Sequence, residues 1–533
     1  MSSAAHEPCN KAVILSGKTV SSCPKNQQRW ILSAMVFASS MAFIDGTVVN
    51  VALPFLQKEL NATAIGVQWV VESYSLFLAA LLLVGGSLGD RYGRRSIFLI
   101  GVGIFAVASA ACGLSQSIGQ LIVARAVQGI GGALLVPGSL AIISASFGED
   151  QRGKAIGTWS GFSAITTAIG PVLGGWLVEH VSWRAVFFIN IPIAIAVIVI
   201  SIRHVPESRE RGEHGSLDWM GAASATLGLG GLVYGLIESS RVGFSNPVVI
   251  SSLALGVVVL CLFLLNEARV KNPMVPLKLF RSKDFTGANL LTLFLYAALS
   301  ATFFFFTLNL IQVQHYSATA AGSSLLPFVV IMFSLSRWSG GLVDRFGPRL
   351  PLTIGPVVAA VGFALFALPS TNAGYWTGFL PAVVVLGLGM AMAVAPLTTT
   401  VMGSVSSEQA GVASGINNAV SRAAGLIAIA VFGVVMLVSF RESLSLRLAT
   451  IGVNEEVRKS IEAQSVRLGG LEVPQTLDPS TRQAVQDAVG RSFVSGFRMV
   501  MIISAFLALA SATSSLVLIG RSSGVSRGVR RKT

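Results

Sequence analysis

The chain reads as an all-α polytopic membrane protein: two parallel six-helix bundles with an inserted two-helix hairpin between them, about 14 transmembrane helices in all. Three observations predict this. Hydrophobic residues make up 53% of the 533 positions and charged ones 12%, against roughly 25% charged residues in soluble domains. Apolar runs of the ~20 residues that cross a bilayer recur from Trp30 to the C-terminal region, separated by short polar loops and without strand-type alternation. Finally, the decapeptide Gly86–Arg95 reappears as Gly340–Arg349, displaced by 254 residues.

The runs place spans near 30–54, 67–89, 96–115, 118–144, 154–178, 185–203, 217–238, 247–267, 285–311, 318–342, 352–370, 375–397, 410–438 and 496–520. The repeat sets their register. Moving Trp30 on by 254 residues lands on Asp284, where the ninth span begins. Spans one to six (30–203) and nine to fourteen (284–520) are therefore equivalent bundles in the same orientation, and the linker 204–283 carries an inserted pair at about 217–267. Residues 1–29 form an N-terminal tail without the long apolar core of a secretory signal, and 521–533 a basic C-terminal tail. The polar stretch 441–495, with Asn454-Glu455-Glu456 and a break at Val473-Pro474, is expected as an outer loop of short amphipathic helices.

Charge distribution gives the orientation and excludes nucleic acid as the partner of the net +14. Arginine and lysine gather on alternate loops: Arg91, Arg94 and Arg95; Arg152 and Lys154; Arg203, Arg209 and Arg211; Arg269, Lys271, Lys278, Arg281 and Lys283; Arg345 and Arg349; and the tail from Arg521 to Lys532. The short intervening loops carry little beyond Lys58, Arg184 and Arg241, and the arginines of the outer stretch 441–495 are interspersed with acids and outvoted by the remaining loops. The positive-inside rule then puts both termini in the cytoplasm, the basic tail anchoring topology at the lipid headgroups. Cys9 and Cys23 fall in the tail and Cys112 and Cys261 inside apolar runs, so no disulfide framework is implied. Metal-ligand spacing, a phosphate-binding loop and a catalytic triad pattern are all missing, so no cofactor, no metal and no enzymatic activity are expected.

Ionisable residues within spans are costly, at ~2.5 to 3.5 kcal/mol each on insertion scales, and are functional candidates by default. At 1.5 Å per residue, Asp45 lies about 14 Å before the outer end of span one at Pro54, Glu72 about 8 Å below the start of span two, and Arg125 about 10 Å below the start of span four. All three fall in the outer half of the first bundle, where two carboxylates beside a guanidinium can bind one exchangeable proton or a cation, or form a structural neutralising pair. The positions 254 residues on from Asp45 and Arg125 hold Leu299 and Phe379, so this charge chemistry belongs to the first bundle alone. Arg422, near the middle of span thirteen, faces a watery cavity or pairs with Asn417 or Asn418.

The repeated turn offers a gating element: Gly86, Gly93 and Gly347 permit tight approach and a left-handed backbone, while Asp90, Arg91, Arg94, Asp344 and Arg345 can build a charge network across the domain interface. In span five, Gly170, Pro171, Gly174 and Gly175 allow a kink and close packing at a bundle interface. Gln128, in Gln128-Gly129-Ile130-Gly131-Gly132, sits on a packing face of span four.

Together these segments resemble the fourteen-helix drug:proton antiporter family of the major facilitator superfamily, a multidrug efflux type, over nearly the whole chain. The resemblance rests on Asp45-Gly46-Thr47-Val48-Val49-Asn50-Val51-Ala52-Leu53-Pro54 in span one, Gly86–Arg95 in the loop, Leu121–Gly129 in span four, Gly170–Gly175 in span five and Trp183–Pro192 before span six. It implies rocker-switch alternating access in a plasma membrane, that of a bacterial inner membrane, with a proton entering as a hydrophobic, often cationic compound leaves. It also implies coupling roles for Asp45 and Arg125 and a gating role for Asp90. Membrane lipids and protons are the other partners, and Asn50, Gln128, Asn417 and Arg422 are candidates to line the cavity. Pro348 stands where the first turn has Arg94, a departure that sets the two latches apart. Proton-coupled uptake, or a non-transporting membrane sensor or scaffold, are the alternative readings.

Overall fold

A computed structural model of the chain describes residues 24–208, 218–270, 273–371, 373–405 and 409–520. Its spanning helices are α1 (Lys25–Glu59), α2 (Ala64–Tyr92), α3 (Arg94–Leu114), α4 (Ile118–Ser146), α5 (Glu149–His180), α6 (Ala185–His204), α7 (Trp219–Val242), α8 (Pro247–Arg269), α9 (Lys283–Val313), α10 (Ala318–Ser323, then Leu326–Gly340), α11 (Arg349–Phe366), α12 (Tyr375–Gly403), α13 (Ala410–Ile451) and α14 (Pro479–Leu518). Among the described residues, 13 helices are long and apolar enough to cross a membrane. To these α5 adds one more: its 32 residues reach about 48 Å, and it lies between α1 and α10. The fold class read from the sequence holds.

Helices begin where short polar side chains can take over unsatisfied backbone N–H groups. Thr63 Oγ1 accepts from Gly66 N at 3.1 Å, Ser117 Oγ from Gln120 N at 3.3 Å, Asn246 Oδ1 from Val248 N at 2.9 Å and Ser282 Oγ from Phe285 N at 3.3 Å, starting α2, α4, α8 and α9. Between helices, glycines replace side chains at the closest approaches. A Cβ on Gly85 of α2 would stand 2.0 Å from the Ala133 carbonyl oxygen of α4. The repeat extends to this packing: Gly101 of α3 lies against the Gly131 carbonyl of α4, and Gly355 of α11, 254 residues on, lies against the Gly389 carbonyl of α12. Gly131 and Gly389 are 258 residues apart, so α12 has slipped about one helical turn relative to α4. The packing counterpart of Arg125 is thus Val383, one turn beyond Phe379; both are fully buried apolar residues.

The inserted pair α7 and α8 pack along each other through Gly228, Gly231, Gly235 and Gly256. Val233 and Ile237 of α7 join a cluster with Leu76 of α2 and Leu426 and Ala430 of α13. Only 11% of the most apolar stretch of α8 is buried, so Leu255, Val258, Leu262 and Leu265 face outward, as lipid-facing residues do. The hairpin covers the seam between α2 and α13 on one side of the molecule.

At the end opposite the chain termini, hydrogen bonds tie the two bundles together. Gln57 Nε2 of α1 donates to the Arg467 carbonyl at 3.2 Å, Gln312 Nε2 of α9 to Gln57 Oε1 at 3.0 Å, Gln68 Nε2 of α2 to the Ile429 carbonyl of α13 at 3.0 Å, and Thr319 N of α10 to Glu179 Oε1 of α5 at 3.1 Å. The stretch 441–495 is largely helical: α13 runs on to Ile451 and α14 starts at Pro479, with the short helix Glu455–Ala463 and a turn at Ser465–Gly470 between them. Hydropathy falls where a helix leaves the apolar layer, although the helix itself continues, here by burying Leu444 and Leu448 of α13 against Val485 and Val489 of α14 in the main core.

The glycine contacts give a paired expectation. Gly85→Leu should lower the thermal midpoint of the detergent-solubilised protein by an amount equivalent to about 1–3 kcal/mol of overpacking. Its neighbour Gly86→Ala, whose nearest atom would be 3.7 Å away, should leave the midpoint within error. Equal effects of the two would contradict the α2–α4 approach.

Candidate functional site

Asp45 lies on α1 and Arg125 on α4, and neither side chain reaches solvent: their exposures are 0% and 1%. Arg125 Nη1 bonds Asp45 Oδ2 directly. The second carboxylate oxygen, Oδ1, accepts from Gln128 Nε2 at 2.8 Å and Asn190 Nδ2 at 3.3 Å. The guanidinium also donates through Nε to the Val70 carbonyl of α2 at 3.2 Å and through Nη1 to Gln128 Oε1 at 2.7 Å. Its carbon stands 4.2 Å from the centre of the Tyr74 ring and 5.9 Å from that of Phe187. Asn190 Nδ2 is in turn 3.0 Å from Ser109 Oγ, which donates to the Phe187 carbonyl at 2.8 Å. Five helices of the first bundle, α1, α2, α3, α4 and α6, thus meet at one ion pair.

Removing two charges from water costs several kcal/mol per ion, which only good geometry and further hydrogen bonds can offset. Here the partners of both ions are supplied by neighbouring helices. The arrangement is a clasp between α1 and α4 made by one buried ion pair, with Gln128 and the Val70 carbonyl as further partners of Arg125.

The span-five glycines connect this clasp to the other bundle. A Cβ on Gly170 would come 2.1 Å from Thr47 Oγ1, and one on Gly174 would come 2.3 Å from Val48 Cγ2, so α5 lies directly on α1 beside Asp45. On its other side, a Cβ on Gly175 would meet the Ala318 carbonyl at 2.4 Å, and one on Gly322 of α10 would meet the Pro171 carbonyl at 2.0 Å. The motif is a two-faced contact, with one face against α1 and the other against the second bundle.

The repeated turns are held locally. Gly93 has φ +115° and its N–H reaches the Gly89 carbonyl; Gly347 has φ +73° and reaches that of Val343. In both, glycine is the residue that tolerates this backbone. Asp90 pairs with Arg94 Nε at 2.8 Å, inside its own turn, so the expected network across the domain interface is instead an i,i+4 contact at the α2–α3 junction. The four-residue spacing across the Gly93 turn brings Arg94 to Asp90, which keeps that carboxylate local. Arg91 stacks over Tyr92 at 5.4 Å. In the second turn Arg349 bonds the Leu516 carbonyl of α14 and Arg345 is exposed, while the side chain of Asp344 lies outside the described residues.

Other expected site residues are placed separately. Asn417 of α13 donates to Asn289 Oδ1 at 3.2 Å and Thr292 Oγ1 at 2.7 Å, joining α13 to α9. Arg422, half-buried on α13, pairs with neither Asn417 nor Asn418 and lies within electrostatic reach of Tyr74. Asn50 is half-buried on α1. Glu72 is fully buried, but neither of its oxygens has a hydrogen-bond partner. It is not part of the Asp45–Arg125 network: Arg125 meets α2 at positions 70 and 74, and two residues either way turn a side chain about 200° around the axis.

Two contributors escaped the sequence reading. Asn190 lies in the Trp183–Pro192 segment, where a neutral amide within an apolar run was the available signal. Glu207 follows α6 and caps α3 from a distance: Oε1 accepts from Arg95 N at 3.0 Å and Oε2 from Ser96 N at 3.1 Å, while Arg94 N donates to the Ser208 carbonyl at 2.8 Å. A Cβ on Gly93 would come 2.8 Å from the Glu207 carboxyl carbon, so that glycine also makes room for the cap. Nothing in the charged stretch after span six distinguishes Glu207 from its neighbours.

The clasp should behave as a unit under substitution. Arg125→Gln, which strands the Asp45 charge, is expected to cost about 3–5 kcal/mol. Adding Asp45→Asn should recover part of that loss, with a coupling of roughly 0.5–3 kcal/mol between the two sites. Thermal unfolding in detergent would rank the Arg125 single variant below the double variant; simple additivity would show that the two side chains act independently.

Comparison with known proteins agrees with this architecture. The model of the Major Facilitator Superfamily matches residues 35–429. The tetracenomycin C resistance and export protein of Streptomyces glaucescens is 33% identical, covering 91% of this chain and 90% of its own length. The multidrug resistance protein Stp of Mycobacterium tuberculosis is 32% identical over 87% of each, and the puromycin resistance protein of Streptomyces alboniger 33% identical over 77% of this chain and 82% of its own. Among solved structures, an inward-facing, unoccupied bacterial homolog of the human lysosomal transporter Spinster superposes with a TM-score of 0.62 at 17% identity, over 92% of this chain and 98% of its own. The xylose transporter XylE of E. coli does so with a TM-score of 0.54 at 13% identity, over 93% and 97%. With a family model spanning most of its length and relatives of this identity and coverage, the chain belongs to the Major Facilitator Superfamily of membrane transporters.

Proposed function

We propose that the protein is a proton-coupled exporter that moves small hydrophobic, often cationic compounds across a plasma membrane by alternating access, with both termini in the cytoplasm. The observation that carries this is the fully buried Asp45–Arg125 clasp, positioned next to the α5 contact that joins the two bundles. The names of the relatives, which concern drug resistance and export, support the direction of transport and the class of cargo.

In this reading the present conformation is closed to the outside by the bonds around Gln57, Gln68 and Glu179. A proton entering from outside neutralises Asp45, loosens α1 from α4 and, through Gly170–Gly175, shifts α5 against α10. Asp90, Arg91 and Arg94, with Gly86 and Gly93, latch the first bundle at the cytoplasmic face, and Asp344, Arg345 and Gly347 do so for the second. Asn50, Gln128, Asn417 and Arg422 contribute polar groups toward the cavity. The energetics suffice: one charge moving through ~100 mV releases ~2.3 kcal/mol, enough for a gradient of about fifty-fold.

Purified protein in liposomes with an imposed pH gradient should export dyes from a broad panel and move protons the opposite way. Asp45→Asn is expected to abolish proton-driven export while leaving expression and the gel-filtration profile intact. Unchanged export by that variant would remove Asp45 from the mechanism, and substrate moving together with the proton in inverted vesicles would make the protein an uptake symporter.

A further inference from the structure

Glu72 shares the depth of Asp45 but faces away from it. Its side of α2 also carries Trp69 and Leu76, which pack with Val233 and Ile237 of α7 and Leu426 and Ala430 of α13. One turn toward the closed end, Gln68 bonds the Ile429 carbonyl at 3.0 Å, and the Trp69 ring lies 6.2 Å from that of Tyr234. In the other direction, a Cβ on Gly230 of α7 would stand 3.4 Å from Leu76. Glu72 is enclosed where the first bundle, the inserted hairpin and the second bundle meet. Its exposure is 0%, and both oxygens lack a hydrogen-bond donor.

Charged and titratable side chains on the packed elements leave Glu72 without a partner. On α7, Glu238 pairs with Arg241 and the Tyr234 ring lies tilted against Trp69. On α13, Arg422 lies by Tyr74 and Arg441 bonds Ser465. Across α2, Arg125 is committed to Asp45. Among the described residues none of these forms an ion pair or hydrogen bond with Glu72. An ionised carboxylate in such a place would have neither water, nor donor, nor counter-charge, whereas a neutral carboxylic acid is tolerated.

We propose that Glu72 is a second proton-binding site, independent of Asp45 and sealed by the inserted hairpin. It holds a proton while α2, α7 and α13 stay packed, and releases that proton to water, leaving a carboxylate, when α13 draws away from α2. The hairpin then has a mechanical role, as the wall that keeps this acid dry in one conformation. The proposal rests on the reading of the chain as a proton-coupled transporter, so its test is one that needs no transport.

Difference infrared spectroscopy of the full chain in lipid at neutral pH reads the carbonyl stretch of neutral carboxylic acids. Glu72→Gln should remove one such band that Asp45→Asn retains, and Glu72→Asp should move it. Ile237→Ser, which lets water into the seal, should speed its shift on transfer to deuterium oxide. A spectrum unchanged by Glu72→Gln, or a band that Glu72→Asp leaves in place, would overturn the proposal. The liposome assay fails or succeeds separately: export without the band removes the Glu72 site and keeps the exporter, while the band without any transport removes the exporter and keeps the acid.

Discussion

Arg125 and Asp45 form an ion pair in a place where water does not reach, and much of the first bundle is arranged around making that tolerable. Two desolvated charges need nearly every donor and acceptor around them to be occupied. Gln128 lies one turn from Arg125 on α4, α2 offers the Val70 carbonyl and the Tyr74 ring face, and α6 contributes Asn190, itself held by Ser109 of α3. Each helix therefore has a fixed rotation about its axis relative to this point. A change in charge at the centre is felt by five helices together, which makes the pair suited to driving a rigid-body rearrangement.

The two halves repeat mechanically but differ chemically. Glycine contacts such as Gly101 of α3 against α4 and Gly355 of α11 against α12 recur, as do the positive-φ glycines of the two turns. The position packed like Arg125 in the second half is Val383, a fully buried apolar residue. One bundle thus carries the buried ion pair, and the other has apolar side chains at the matching positions. Gly175 and Gly322 lie where these surfaces touch most closely. Backbone contact of this kind transmits displacement with little compliance.

Much of this was legible from the residues alone. Fourteen spans and their pairing followed from hydropathy and one repeated decapeptide, because the bilayer imposes a length on each helix. Asp45 and Arg125 stood out because a charge inside an apolar run has few innocent explanations. Glu72 was found by the same reasoning but grouped wrongly, since depth along a helix says nothing about rotation around it. Glu207 was invisible: its role depends on the chain returning past α6 to the start of α3, a tertiary fact without local spacing. The polar extension of α13 and α14 was hidden because charge marks the edge of the membrane and not the end of a helix, although the buried Leu444, Leu448, Val485 and Val489 already carried helical spacing.

The proposed coupling requires that the cargo and the proton on Asp45 disfavour each other's binding through the clasp. The most direct measurement is proton release on binding, made with a pH indicator in weakly buffered detergent solution, using a compound that the liposome panel identifies as exported. The wild-type protein should release protons as it binds, and Asp45→Asn should bind with correspondingly less release. Equal release from both, with binding intact, would contradict the account.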